Sequence, residues 1–221
     1  MRNMKEEVLS REFKLAKIID SYAKVAWFYD YWALLTETKA SRKVLEYAGI
    51  RDGEHILEVA VGTGMLFKKI VNLNPHGKNE GVELAPKMLA RAQKRLSGLP
   101  VSHYRLIAGN AYQLPYTEGS FDLVVNNFML DLLPVEGINK VLAEFYRVLK
   151  PDGRVVISTM SFGEKWYHQF WQWVARRLPG LLTGCRPVAV AQYLQKTGFT
   201  NLKIARISQN TFPAEIISAR K

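Results

Sequence analysis

Hydrophobic positions along the chain follow two alternating patterns, short apolar runs and stripes at helical spacing. The apolar runs predict strands at residues 55–59, 79–83, 103–107, 121–126 and 153–160. The helical stripes between these runs fall at residues 64–72, 85–97 and 136–149. Strands that alternate with helices form a parallel sheet that is covered by helices on both faces. We therefore predict an α/β domain built on such a sheet.

Further elements flank this core. Before it, residues 5–19, 20–36 and 38–48 have helical spacing. After it, an aromatic-rich segment at 164–182 precedes a helix at 187–197 and strands near 199–208 and 211–219. A Pro-Asp-Gly turn at Lys150–Gly153 precedes the last core strand. We predict one domain over 1–221, with a helical cap at 1–50, a core at 51–160, a helical insert at 161–184, and a C-terminal helix and hairpin at 185–221.

Charge and composition narrow the expected partners. The formal net charge is +11, and the segment from Glu164 to Lys221 holds nine Lys or Arg against two Asp or Glu. Such a balance attracts anionic membrane, nucleic acid or acidic substrates, although an ordinary basic protein shares it. No run of five Lys or Arg occurs, which makes nucleic acid an unlikely partner. We expect a cytoplasmic protein without a signal peptide or disulfide, and leave peripheral contact with an anionic membrane open.

Three predicted strand ends carry residues that suit a nucleotide-like ligand. Glu58 ends the first strand, and Gly62-Thr63-Gly64 leads from it into a helix, so that the main chain can touch a ligand. Glu83 ends the second strand, where a carboxylate accepts hydrogen bonds from ribose hydroxyls. Asn110 follows the third strand and suits an adenine edge or a cap on the following turn equally well.

The glycine-rich turn leaves more than one cofactor class open. A dinucleotide-binding turn has a third glycine, and this chain has Phe67 at that position. That departure weakens an NAD-dependent oxidoreductase as an interpretation. A protein that binds a cofactor without catalysis is a further alternative.

Five motifs in order resemble those of class I S-adenosylmethionine-dependent methyltransferases. They are Ile56–Gly64, Gly81–Leu89, Gly109–Tyr116, Ser120–Val125 and Leu149–Gly153. Within that family the chain resembles the ubiquinone/menaquinone C-methyltransferase (UbiE-like) group and related lipid methyltransferases. The resemblance implies a three-layer Rossmann-like sandwich. Its mostly parallel seven-stranded sheet would have an antiparallel C-terminal strand, with N-terminal helices and a helical lid insert added.

The same resemblance implies S-adenosylmethionine as cofactor, with S-adenosylhomocysteine as product, and assigns residues to it. Glu58 would lie near the methionine amino group, Glu83 near the ribose hydroxyls, and Tyr29 near the methionine carboxylate. The full set of implied cofactor-binding residues is Tyr29, Glu58, Ala60, Gly62, Gly64, Glu83, Leu84, Met88, Asn110, Ala111, Asn126 and Asn127.

Transfer of an activated methyl group requires positioning and exclusion of water, and a base only where the acceptor loses a proton. No catalytic triad and no metal-ligand spacing is visible, so we expect no metal. His168 and Asp131 are candidate bases. His168 also suits the surface of an amphipathic helix, and Asp131 also suits a helix cap.

The two aromatic segments, 20–36 and 162–184, contain all five tryptophans. We expect Trp32, Phe128 and Trp166 to line an apolar acceptor pocket, because small-molecule sites are mostly apolar. The leading function is methyl transfer to a small lipophilic acceptor such as a quinone precursor. N-methylation of a phospholipid of the phosphatidylethanolamine type is the alternative.

Overall fold

The computed structural model describes residues 30–31, 33–163, 167–177 and 185–221. Tyr29, Trp32 and Trp166 lie outside the described residues, as does the predicted helix at 5–19. None of the described helices has both the length and the apolar character needed to cross a membrane.

The described elements follow the predicted order of alternating strands and helices. They are α1 (Thr38–Ala48), β1 (His55–Val59), α2 (Met65–Leu73), β2 (Lys78–Glu83), α3 (Pro86–Leu96), β3 (Tyr104–Ala108), β4 (Phe121–Asn127), α4 (Val135–Val148), β5 (Leu149–Met160), α5 (His168–Arg177), α6 (Val190–Thr197), β6 (Thr200–Gln209) and β7 (Phe212–Arg220). Two 3-10 turns, Val101–His103 and Leu130–Leu132, precede β3 and follow β4.

Seven strands form one sheet in the order β3-β2-β1-β4-β5-β7-β6. Strands β1 to β5 pair in parallel, whereas β7 is antiparallel to both β5 and β6. The predicted mostly parallel sheet with an antiparallel C-terminal strand is therefore confirmed. In parallel sheets of this kind, ligands bind beyond the carboxyl ends of the strands.

Central strand β4 shows why the fold has three layers. Successive side chains of a strand point to opposite faces. Leu123 and Val125 pack with Val44 of α1 in one buried cluster. Val124 packs with Leu142 of α4 in the other. The apolar side chains of β4 are thus buried on both faces of the sheet, as expected for a central parallel strand.

Strand β5 begins earlier than the sequence predicts. Lys150–Gly153, predicted as a turn, lies within this strand. The pairing of β4 with β5 shifts register between Phe121 and Leu123, and Asp152 has φ +62°. The Pro-Asp-Gly sequence therefore lies in an irregular bulge, in which β5 accommodates three extra residues opposite β4 without ending the strand.

Candidate functional site

The turn between β1 and α2 adopts backbone angles that favour glycine. Ala60, Gly62 and Gly64 all have positive φ, at +62°, +57° and +79°. A Cβ atom on Gly64 would approach Ala92 of α3 to 3.1 Å, so this glycine permits close helix packing. A Cβ atom on Gly62 would meet nothing within 4 Å. The backbone of Gly62 therefore borders open space at the carboxyl ends of the strands.

Glu83, at the end of β2, is tied to this turn by two backbone hydrogen bonds. One carboxylate oxygen accepts the N–H of Gly62 and the other accepts the N–H of Ala85, both at 2.8 Å. Burial raises the pKa of Glu83, while these backbone donors act in the opposite direction. Each oxygen has a second lone pair, so the carboxylate can still accept hydrogen bonds from a ligand.

Glu83 borders an apolar cavity of about 820 Å³, a volume that includes space open to solvent. The predicted residues that line it are Ala60, Gly62, Glu83, Leu84, Met88, Asn110, Ala111, Asn127 and Phe128. The remaining lining residues are Val59, Val82, Ala85, Gly109, Tyr112, Met129, Leu132, Leu133 and Val141. The ends of four strands, β1 to β4, therefore meet at one cavity.

The side chain of Asn110 stabilises the turn that borders this cavity. Its side-chain oxygen accepts the N–H of Tyr112 at 3.0 Å, as in an Asx turn. The amide nitrogen takes no part in that bond. The turn role and a ligand contact are therefore compatible, since they use different atoms of Asn110.

A second, polar cavity of about 520 Å³ adjoins the first. Its lining residues are Ala33, Glu37, Thr38, Ser41, Glu58, Ala60, Val61, Gly62, Thr63, Met65, Leu66, Lys69 and Asn127. Ala60, Gly62 and Asn127 line both cavities. These three residues form the shared rim between the two spaces.

Glu58 is the more deeply buried of the two acidic residues that line the polar cavity, Glu37 and Glu58. Its exposed fraction is 1%, and its Oε2 atom has no hydrogen-bond partner in the described structure. Burial raises the pKa of Glu58 well above the ordinary value, and the nearby Glu83 raises it further. A buried carboxyl oxygen without a partner is costly, and a cationic ligand group would relieve that cost.

The two asparagines at the end of β4 point in different directions, as the alternation of a strand requires. Asn127 lines both cavities, and its side-chain oxygen accepts the hydroxyl of Ser158. Asn126 is fully buried and donates to the carbonyl of Val59 at 2.8 Å, which links β4 to β1. Of this pair, Asn127 is the one that faces the cavities.

Asp131 lies in the turn Leu130–Leu132 and is not among the described residues that line either cavity. It is fully buried, one oxygen accepts the N–H of Met160 at 3.0 Å, and the other has no partner in the described structure. Burial raises the pKa of Asp131 to about 6, and the charge of Arg186 opposes that shift. The guanidinium of Arg186 donates to the carbonyl of Leu133, a lining residue of the cavity.

Two further predicted residues that the structure describes, Gly64 and His168, do not line either cavity. Gly64 is the N-cap residue that precedes α2. His168 is buried rather than on the surface, and its Nε2 lies 3.3 Å from the hydroxyl of Ser208 on β6. A role as base stays a prediction for both His168 and Asp131.

Sequence reasoning missed part of the lining. Met129, Leu132 and Leu133 form an apolar wall after β4, and Glu37 and Lys69 border the polar cavity. The apolar run at 128–133 was a usable signal, since it continues beyond the strand. Glu37 and Lys69 gave no signal, because their positions depend on how α1 and α2 pack against the turn.

Comparison with known proteins agrees with this geometry. Residues 56–153 match a family described as a methyltransferase domain. A demethylmenaquinone methyltransferase from Lactobacillus johnsonii is 35% identical over 148 residues, which are 64% of this chain and 60% of that protein. Residues 56–153 form a class I S-adenosylmethionine-dependent methyltransferase domain. The resemblance to the UbiE-like group is confirmed, and S-adenosylmethionine is the cofactor of the family.

Solved structures show the same fold. A methyltransferase of Thermotoga maritima has a TM-score of 0.69 at 19% identity, over 91% of this chain and 99% of that one. Phosphoethanolamine N-methyltransferase 2 of Haemonchus contortus, solved with S-adenosylmethionine, has a TM-score of 0.65 at 18% identity, over 83% and 52%. The chain spans about three-fifths of the length of the curated relatives it matches.

Proposed function

We propose that this methyltransferase domain transfers the methyl group of S-adenosylmethionine to a small lipophilic acceptor of the quinone-precursor type. The observation that carries the proposal is the placement of Glu58 and Glu83 in adjoining cavities that share one rim. S-adenosylmethionine is elongated, with an ammonium group at one end and a ribose diol in the middle. The two buried carboxylates match these two groups in kind and in order.

Cofactor binding is assigned to the residues of both cavities. Glu83 would accept the ribose hydroxyls through its remaining lone pairs, and Leu84 and Met88 would cover the adenine. Glu58 would accept the ammonium group through its oxygen without a partner. Tyr29 stays assigned to the cofactor carboxylate as a prediction. When bound, the cofactor supplies a methyl group that the sulfonium charge has already activated.

The protein itself then contributes to catalysis by positioning the two reactants and by excluding water. Asn127, on the shared rim, lies where the adenosine and methionine sides of the cofactor would meet, and Ser158 holds its amide. The apolar wall of Met129, Leu132 and Leu133 lies next to that point, together with Phe128. Trp32 and Trp166 complete the proposed acceptor pocket as predictions. An apolar wall suits a ring or prenyl-type acceptor better than a polar one.

Methylation of an aromatic carbon releases a proton, so such a reaction requires a base. Asp131 is the preferred candidate over His168, because it belongs to the segment 129–133 that supplies the apolar wall, although neither side chain is among the described residues that line the two cavities. A base is most effective when its pKa is near the working pH, and burial raises that of Asp131 to about 6. The name of the Lactobacillus relative, a demethylmenaquinone methyltransferase, also favours a quinone-type acceptor.

Two experiments test the proposal in sequence. Isothermal titration with S-adenosylmethionine, S-adenosylhomocysteine and NAD, beside Glu83→Ala, tests the cofactor; micromolar binding of the first two, weakened in the variant, is expected. Incubation with a demethylated naphthoquinol or with phosphatidylethanolamine then tests the acceptor by mass spectrometry. One added methyl group on the ring carbon supports the proposal, whereas methylation only of the lipid amine replaces it with the phospholipid alternative. Peripheral contact with an anionic membrane is a separate proposal.

A further inference from the structure

We infer that four exposed apolar side chains form a patch that docks this protein on an anionic phospholipid bilayer, next to the opening for the acceptor. The patch consists of Leu34, Leu35, Phe170 and Trp173, which are 55%, 38%, 58% and 49% exposed. The inference rests on the proposed lipophilic acceptor, because such a molecule partitions into membranes.

One hairpin brings the members of the patch together, although they come from opposite parts of the chain. Gln209 donates to the carbonyl of Leu34, and Asn210 donates to the carbonyl of Leu35, both at 2.8 Å. Beside them, the indole N–H of Trp171 donates to the hydroxyl of Thr211 at 3.0 Å. Leu34, Leu35 and the α5 residues next to Trp171 therefore surround the β6–β7 hairpin.

This hairpin lies at the end of the sheet that carries the cofactor site. Met160, the last residue of β5, pairs with Ala214 of β7, and the N–H of Ser161 donates to the carbonyl of Pro213. Residues 210–211 thus extend beyond the carboxyl end of β5. The patch and the two cavities share this end of the molecule.

A chain of aromatic contacts joins the cavity wall to the patch. Phe128, which lines the apolar cavity, lies 6.1 Å from Phe212 between ring centroids. Phe212 lies 5.4 Å from Trp171, and Trp171 lies 5.6 Å from Phe170. Phe170 in turn stacks on Trp173 at 6.2 Å. A continuous series of packed rings, of which Phe128 and Phe212 are buried, therefore links the proposed acceptor pocket to the exposed side chains.

Charge around the patch suits an anionic surface. Lys39, whose backbone N–H donates to Gln209, and Arg177, which ends α5, are both exposed. Glu37, the acidic residue nearest to Leu35 in the sequence, is buried instead. Exposed aromatic and leucine side chains flanked by cations are typical of peripheral membrane surfaces. Contiguous exposed apolar patches of this kind mark interaction sites.

Vesicle flotation of the full chain tests the inference. At low salt, we expect the protein to float with vesicles of phosphatidylglycerol and phosphatidylcholine, and to float far less with phosphatidylcholine alone. Raising the salt concentration weakens attraction to the anionic surface. The double variant Phe170→Ser/Trp173→Ser should lose at least about tenfold in vesicle affinity, because both apolar side chains would be lost from the contact. Arg177→Glu should weaken binding to the anionic vesicles alone.

Matched controls separate docking from damage to the fold. Leu73→Ser and Val101→Ser change side chains that are 51% and 83% exposed elsewhere, and should leave flotation unchanged. Binding of S-adenosylhomocysteine should be unchanged in every variant, since the patch does not line the cavities. Absence of flotation by the wild-type protein, or equal loss in Leu73→Ser, would overturn the inference.

The remaining outcomes are also decisive. If the double variant abolishes self-association in sedimentation experiments, and the wild-type protein does not bind vesicles, the patch joins two copies and the inference is wrong. Flotation without methylation of any quinone-type acceptor would retain the docking surface and reject the proposed acceptor. Failure of the inference and failure of the proposed function are therefore distinguishable.

Discussion

The carboxylate of Asp30 lies 2.5 Å from the guanidinium of Arg95, at the end of α3. Thr63 of the glycine-rich turn joins this pair: its hydroxyl donates to Asp30 at 2.6 Å and accepts from Arg95 at 2.9 Å. Thr63 lines the polar cavity. The segment before α1 is therefore attached to the glycine-rich turn that borders both cavities.

Replacing Asp30 by Asn should separate stability from cofactor affinity. Both charged side chains are partly exposed, so the pair contributes only about 0.2–1 kcal/mol to the free energy of unfolding. Affinity for S-adenosylhomocysteine should fall several-fold, because Thr63 loses its fixed position beside the polar cavity. Urea denaturation and isothermal titration measure the two effects. Lys43→Gln, which breaks the surface pair of Lys43 with Glu46, is the control and should leave affinity unchanged.

Glu83→Gln should weaken S-adenosylhomocysteine binding by roughly 10- to 100-fold, because hydrogen bonds to a charged group contribute about 1.5–3 kcal/mol. One acceptor oxygen and the negative charge are lost, while the size of the side chain is kept. Titration calorimetry measures the change. Glu80→Gln is the matched control, since Glu80 lies on the same strand but pairs with His55, away from both cavities. Equal affinity loss in the two variants would contradict the assigned role of Glu83.

Glu58 predicts a dependence of stability on pH. Burial raises the pKa of Glu58 in the folded state, so folding favours the protonated form. Stability from this group is fully present below its unfolded pKa and is lost as the pH rises through the raised folded value. Glu58→Gln should therefore raise the unfolding free energy of the ligand-free protein by about 1–2 kcal/mol near neutral pH. Thermal melts from about pH 5 to about pH 8 should show the gain increasing with pH.

The same variant should bind S-adenosylmethionine more weakly, because an amide does not attract the ammonium group as a carboxylate does. Glu46→Gln, at a side chain that is 62% exposed, serves as the control. It should change neither stability nor affinity with this pH dependence. A stability gain in Glu58→Gln that grows at low pH would show that the carboxylate is not the group responsible.

Ala60 has φ +62°, a conformation that costs a residue with a Cβ atom about 1–2 kcal/mol. Ala60→Gly should therefore stabilise the protein by up to about 1 kcal/mol, after the larger chain entropy of glycine is subtracted. Cofactor affinity should stay within a factor of a few. Ala40→Gly, in the interior of α1, should instead destabilise by about 1 kcal/mol or more. Denaturant unfolding of both variants decides whether the angle at Ala60 is strained.

The regular elements were predictable because local pattern and global fold agree. The apolar run at 55–59 and the helix at 38–48 have the predicted bounds, since each is set by its own side-chain period. The bulge at Lys150–Gly153 was not predictable as strand. Its residues form a turn by local preference, and only pairing with β4 extends the strand across them.

The positions of site residues at strand ends were predictable from the sequence, whereas the directions and partners of their side chains were less so. Glu83 and Asn127 could be placed at strand ends from sequence, because parallel strands end at one edge of the sheet. The different directions of Asn126 and Asn127 required knowledge that both belong to β4. The approach of Arg186 to Asp131 depends on contacts between distant segments, which no local pattern encodes.

The hairpin at 209–211 holds Leu34 and Leu35 on one side and Trp171 on the other. Leu34 and Leu35 follow Asp30, which is bound to the cofactor turn, whereas Trp171 belongs to the helix beside the acceptor wall. A single hairpin therefore connects the N-terminal segment and α5, so a substitution at 209–211 reaches both segments at once.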